Sequence, residues 1–144
     1  MSFKNLDAFK KRLEKKLITN AHKNAKSAVT RSTMLVEKTA QESIKNQGTG
    51  KLYQKYNPRV EHRASAPNQP PATDTGFLGQ NITMNVKTQP NGSVVGQVIS
   101  AAPYSKALEF GTVNMQPRPF MQPALNKNKS RIVKIFQQEG VIKK

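Results

Sequence analysis

The chain has 144 residues, enough for one compact domain with a real core. Its hydrophobic fraction of 35% and aromatic fraction of 6% are low, which favours a small core with extended or partner-buried segments over a self-contained globule. The absence of cysteine excludes disulfides and thiolate metal sites, and a net charge of +16 draws the chain to polyanions or acidic protein surfaces without choosing between them.

From about residue 3 to 46, apolar or small residues recur in steps of three and four: Phe3, Leu6, Phe9, Leu13, Leu17, Ala21, Ala25, Ala28, Ser32, Leu35, Val36, Ala40 and Ile44. No Pro or Gly interrupts them, so the spacing predicts one long amphipathic helix, or two with a break near Thr19–Asn20. Ser2 is the expected N-cap. Unbroken, this helix is roughly 65 Å long and overhangs any core that the chain can build. Its stripe is mostly alanine in the middle, which permits close approach but buries little area. Two readings stay open: the helix lies along its own domain, or part of its stripe packs on a neighbouring subunit.

Residues 48 to 76 (GTGKLYQKYNPRVEHRASAPNQPPATDTG) show neither helical nor strand period. A loop this long is usually functional or disordered, and Pro67, Pro70 and Pro71 hold it extended and locally stiff. Tyr53, Tyr56, Arg59 and Arg63 have the chemistry to stack on and pair with nucleic acid. The favoured reading is an arm that packs its tyrosines against protein.

NITMNVKT (81–88) and SVVGQVIS (93–100) flank the turn signal Asn91-Gly92 and alternate apolar with polar residues, as a hairpin with one core face does. Asp74 or Thr75 is placed to cap a short helical turn through Phe77 and Leu78. Helical spacing returns at 102–110 (Tyr104, Ala107, Leu108), and Gly111 supplies the stop. Pro117 and Pro119 keep the chain extended through Arg118. A last helix is expected from Phe120 to about Gln138, ended by Gly140, with Pro123 acceptable only near its start. In this reading Tyr104, Leu108 and Phe110 anchor the short helix on the hairpin, Gly111-Thr112 turns the chain, and Phe120 enters the same core as Phe110. Glu109 and Arg118 are candidates for an ion pair within or between subunits.

YSKALEFGT followed by MQPRPFMQPAL resembles the Tyr…Leu/Val-Glu-Phe-Gly-Thr…Arg-Pro-Phe…Pro-Ala signature of the small neck proteins of long-tailed bacteriophages. These are called head–tail joining or tail-completion proteins, and lambda's minor tail protein Z looks like a distant relative. HRASAPNQPPATDTGFLGQNI is similar to the family's Ala-Ser-Ala-Pro-Gly-Glu-Pro-Pro-Ala-x-Asp-Thr-Gly-x-Leu segment. The match runs from about Gly48 to Leu125. It marks Ala66, Pro67, Pro70, Pro71, Asp74, Thr75, Gly76 and Leu78, then Tyr104, Glu109, Phe110, Gly111, Thr112, Arg118, Pro119, Phe120, Pro123 and Ala124. Asn68-Gln69 stand where Gly-Glu is common, which takes away the acidic side chain there.

The resemblance implies a structural, non-enzymatic virion protein of the neck. It would form a ring of its own copies, commonly sixfold, that completes the tail and joins it to the DNA-filled head. Expected partners are other copies of the chain, head-side connector or stopper proteins, tail terminator or tail tube proteins, and the DNA in the channel. The expected location is the virion at the head–tail interface, reached by assembly in the host cytoplasm. The expected architecture is one α+β domain, residues 1–144. It comprises an N-terminal helix (1–46), an extended proline-rich arm (47–76), and a core of a small antiparallel sheet built on a hairpin, a short helix and a C-terminal helix (77–144). The framework motif is Tyr104, Leu108, Glu109, Phe110, Gly111, Thr112, Arg118, Pro119 and Phe120. The subunit-contact arm is carried by Tyr53, Tyr56, Arg59, Arg63, Pro67, Pro70, Pro71 and Asp74.

Residues 1–46 hold eleven basic and four acidic residues. Lys10, Lys11, Lys15 and Lys16 are the candidates for contact with an acidic partner or DNA. The same charge supports a rival reading, a nucleic-acid-binding protein acting through this helix, although no recognition motif accompanies it. An enzyme fits least, because His22, His62 and the eight carboxylates form no cluster with acid–base or metal spacing, and no cofactor is expected. No apolar run approaches the ~20 residues that cross a bilayer, and the N-terminus has no apolar signal-peptide region. The expectation is a soluble intracellular product, or part of an assembly built inside a cell, without a membrane partner.

Overall fold

The computed structural model describes residues 4–45, 48–56 and 59–143; Ser2 and Phe3, the expected cap and first apolar position, lie outside them. Helix α1 runs unbroken from Lys4 to Ile44 and is about 60 Å long. The break near Thr19–Asn20 does not occur. Without Gly or Pro nothing forces it, and the Thr19 hydroxyl donates to the Lys15 carbonyl at 2.8 Å within the same helix.

Only the C-terminal half of α1 is built into the domain. Val36, Ala40 and Ile44 form the core with Leu78, Ile82, Ala102, Phe120 and Ala124, and Val98, Leu108, Met121 and Ile132 pack against them. Helix α2 (Phe77–Gln80) leads into strand β3 (Ile82–Thr88), which pairs antiparallel with β4 (Val94–Ser100). In that register Ile82, Met84 and Val86 stand opposite Ser100, Val98 and Gly96, so these six share the face turned to α1. The turn is a three-residue loop: the Gln89 N–H donates to the Ser93 carbonyl at 2.8 Å, and Gly92 takes the left-handed conformation at φ 83°.

Gly96 decides how closely sheet and helix approach. A Cβ at this position would collide with Thr33 Oγ1 and stand 2.8 Å from Val29 Cγ1 on α1. Helix α4 (Met121–Gln138) packs along the same half of α1. Buried Asn128 fixes it there, donating to Thr39 Oγ1 and to the Ala124 carbonyl, both at 2.8 Å. Past its end, Gly140 adopts φ 70°, and the Val141 N–H returns to the Phe136 carbonyl at 2.9 Å, a Schellman closure.

The arm is not the strandless segment expected. Leu52–Tyr56 (β1) and Arg59–Arg63 (β2) pair antiparallel as a second, separate hairpin. Its strands are exposed on both faces, with only Lys55 and His62 half-covered, so the sequence carries no apolar alternation to announce them.

Candidate functional site

The stretch from Ala102 to Ala124 is the most tightly specified part of the surface. Ala102 is buried, and the Ser105 hydroxyl donates to its carbonyl at 2.7 Å where helix α3 (Ser105–Phe110) begins. Leu108 lies against the core. Gly111 adopts φ 76°, and a Cβ there would meet the Met115 carbonyl at 2.8 Å, so this corner requires glycine. Thr112 and Met115 exchange backbone hydrogen bonds of 2.8 and 3.2 Å, closing a tight turn. The Arg118 N–H donates to the Leu108 carbonyl at 2.6 Å, and Pro119 follows into Phe120, which is 1% exposed.

Glu109 does not pair with Arg118. Its carboxylate reaches the start of α4, where Oε2 accepts from the N–H groups of Phe120 at 2.9 Å and Met121 at 3.0 Å, and Oε1 from Gln122 at 2.9 Å. A helix N-terminus offers unpaired donors and the positive end of the dipole, and three of its N–H groups satisfy this carboxylate without a cation. Arg118 is half-buried and borders a cavity of about 280 Å³ with Ile44, His62, Asp74 and Tyr104.

Phe110 is also placed differently from expectation. It stands 75% exposed while Phe120 fills the core. The two rings are ten residues apart, but Phe110 ends α3 at the rim of a groove bordered by α1, β4 and α4, with most of its ring in solvent. Tyr104 is exposed and packs its ring against Phe77, centroids 6.3 Å apart.

The arm is anchored at its base and tied again by Asn68 and by Lys55. Gly48 and Gly50 run so close to Ala64 and Ser65 that a Cβ at either would strike their backbone. Pro71 is buried, Pro70 half-buried and Pro67 exposed. The Asn68 N–H donates to the Pro117 carbonyl at 2.9 Å, tying the arm to the framework motif. Asp74 is held by Lys55; that hydrogen bond is the main reason its carboxyl lies below the usual range. Tyr53, Tyr56, Arg59 and Arg63 all point to solvent from the hairpin.

The N-terminal half of α1 contributes nothing to the core. Leu6, Phe9, Leu13 and Leu17 lie on one face and are 43–66% exposed. Lys11 and Lys15 occupy the opposite face, with Lys10 and Lys16 at the margins of the apolar stripe, and all four are exposed. Farther along, Arg31 Nη1 donates to Glu139 Oε1 at 2.5 Å, linking α1 to the end of α4. His22 and His62 sit on different elements, and among the described residues no three His, Asp or Glu side chains gather as a metal site. No described helix is long and apolar enough to cross a membrane.

Exposed Phe110, the buried Asn128 clamp and the capping role of Glu109 escaped the sequence. A Glu eleven to fourteen residues before the members of Phe-Met-Gln-Pro was the one signal available for the last of these.

No curated protein and no solved structure matches the chain. Residues 7–111 match the HK97-gp10-like family, described as "Bacteriophage HK97-gp10, putative tail-component". That span takes in α1 from Asp7 onward, the arm, the β3–β4 hairpin and α3 through Gly111. It is a structural tail-component family and not an enzyme family, in keeping with the head–tail joining and tail-completion resemblance. The chain belongs to the HK97-gp10-like family of bacteriophage tail components.

Proposed function

We propose that this tail component is a ring-forming subunit of the phage neck, completing the tail and joining it to the DNA-filled head. The observation that carries the proposal is the surplus of uncovered contact surface over core. Half of α1, the β1–β2 hairpin and Phe110 are displayed by a domain whose buried apolar core is only a few side chains thick. A subunit that is completed by its neighbours has this composition, whereas a free-standing protein exposing as much apolar surface is prone to aggregate. The partners are other copies of the chain, in sixfold number by the family resemblance, with connector or stopper proteins on the head side and terminator or tube proteins on the tail side.

The arm, through Tyr53, Tyr56, Arg59, Arg63, Pro67, Pro70, Pro71 and Asp74, is assigned to a neighbouring subunit. Lys10, Lys11, Lys15 and Lys16 are assigned to an acidic partner or to DNA in the channel. Deleting the gene tests the proposal: filled heads and finished tails should accumulate unjoined, or joined unstably. Normal infectious particles would overturn it. A net charge of +16 favours a second reading as a free nucleic-acid binder. That reading requires the isolated protein to retard DNA at moderate salt with no particle intermediates present.

A further inference from the structure

The chain presents an exposed apolar stripe and, separately, an open apolar groove. The groove has a volume of about 960 Å³ and lies between α1, β4, α3 and α4. Val29, Val98, Phe110, Leu125, Ile132 and Phe136 give it its apolar character. Its charged lining is confined to Lys106 and to Glu109, whose carboxylate is already engaged by the start of α4. The stripe is Leu6, Phe9, Leu13 and Leu17, spaced as the anchors of a helix that lays one face into a groove.

A chain cannot seat its own stripe in its own groove. Val29 on the groove wall belongs to the same unbroken helix, about 18 Å beyond Leu17 and about 35 Å beyond Leu6. Two free halves are also poorly made to pair with each other. A coiled-coil seam continuing from Leu6, Phe9 and Leu13 would next use Lys16 and Asn20. Resting on the reading that the protein works as an assembly of its own copies, we propose that the free half of α1 lies in the groove of the next copy. This contact is heterologous, one surface meeting a different one, and repetition of it closes a ring when the rotation permits. Lys11 and Lys15 then face away from the groove, free for another partner. Because like-charged copies are brought together, association strengthens as salt screens the repulsion, the opposite of binding to DNA or an acidic protein.

The absence of cysteine gives a clean cross-linking test on the full chain. Leu13→Cys and Leu125→Cys each alter an exposed side chain, so both variants should fold. Mixed and treated with a short bis-maleimide, they should yield a covalent dimer that neither gives alone, and the double variant should give a ladder ending at the ring size. Leu13→Asp should reduce the mass seen by light scattering to that of one chain while the far-ultraviolet circular dichroism stays that of the wild type. A Leu13→Cys dimer formed without the second variant would mean helix-to-helix pairing and overturn the proposal. Oligomers that give no mixed cross-link would overturn it while leaving the ring reading intact. A single-chain mass at every concentration and salt would overturn both, as would association only in the presence of DNA or polyglutamate.

Discussion

Glu109 and Pro123 divide between them the four backbone groups that begin α4. The first four N–H groups of a helix have no partner within it. Here those of Phe120, Met121 and Gln122 all donate to the Glu109 carboxylate, and the fourth position is Pro123, which has no N–H to satisfy. The two halves of the motif are therefore one device, in which α3 supplies the acceptor and the following segment is cut to fit it. Glu109→Ala should cost about 2–3 kcal/mol by leaving partly buried donors unpaired. That corresponds to a fall of roughly 5–10 °C in melting temperature. Glu109→Gln, which keeps an acceptor but loses the charge, should fall between. A Glu109→Ala protein melting with the wild type would show that water replaces the carboxylate at no cost.

The two phenylalanines of the motif should separate stability from assembly. Phe120→Ala should cost about 3–5 kcal/mol, the usual loss for a buried aromatic ring. Phe110→Ala should change stability by no more than about 0.5 kcal/mol, because its ring is in solvent. Denaturant unfolding reads both. Equal losses would mean that Phe110 is covered within its own chain.

Gly96→Ala should destabilise by about 1–3 kcal/mol through overpacking against α1. Thr33→Ala removes the hydroxyl that the new methyl would strike, and otherwise loses only a 2.7 Å bond to the Val29 carbonyl inside the helix. The double variant should accordingly recover part of the loss. Strict additivity in a double-mutant cycle would place the strain elsewhere.

Excising residues 52–63 should leave a folded domain, since Lys51 and Ala64 are already hydrogen-bonded neighbours at 3.0 Å and the hairpin packs little against the core. Near-ultraviolet circular dichroism should retain its native signal while joining in a complementation assay is lost. If the excised protein unfolds, the hairpin belongs to its own core and not to a neighbour.

Glu139 should make the α1–α4 contact acid-sensitive. Its carboxyl lies below the usual glutamate range first because Arg31 donates a hydrogen bond to it; desolvation opposes this, and Ser27 adds to it. A folded pKa below the unfolded one means that the stabilisation is complete above the unfolded value and is lost as pH falls through the folded one. The melting-temperature gap between wild type and Glu139→Gln should thus be open at neutral pH and close below about pH 4. A gap that persists unchanged into acid would assign the effect to packing.

What the sequence disclosed follows from which residues bury one face. Helix α1 and the β3–β4 hairpin are legible because Val36, Ala40 and Ile44, and Ile82 with Val98, repeat at the periods that their elements impose. Strands β1 and β2 are not legible, since LYQKY and RVEHR bury neither face and leave no alternation to detect. Phe110 misled because apolar character alone does not distinguish a core side chain from one kept for a partner. Asn128 misled in the other direction, a polar residue buried because Thr39 and Ala124 satisfy it. Glu109 was noticed and given the wrong partner: sequence shows opposite charges, but backbone N–H groups left open by a helix have no letter of their own.

The unbroken course of α1 has a mechanical consequence. Rooted between Ala28 and Ile44, and leaving the domain without a hinge residue, its free half acts as a stiff lever about 30 Å long. A domain that tilts by about 10° carries the lever's tip through about 5 Å, nearly one helical turn. If the tip is seated on the next copy as proposed, small rotations of one domain would be delivered to its neighbour as large translations. The copies of a closed ring would then be geared to turn together, and a disturbance on one side of the joint would be felt around its whole circumference.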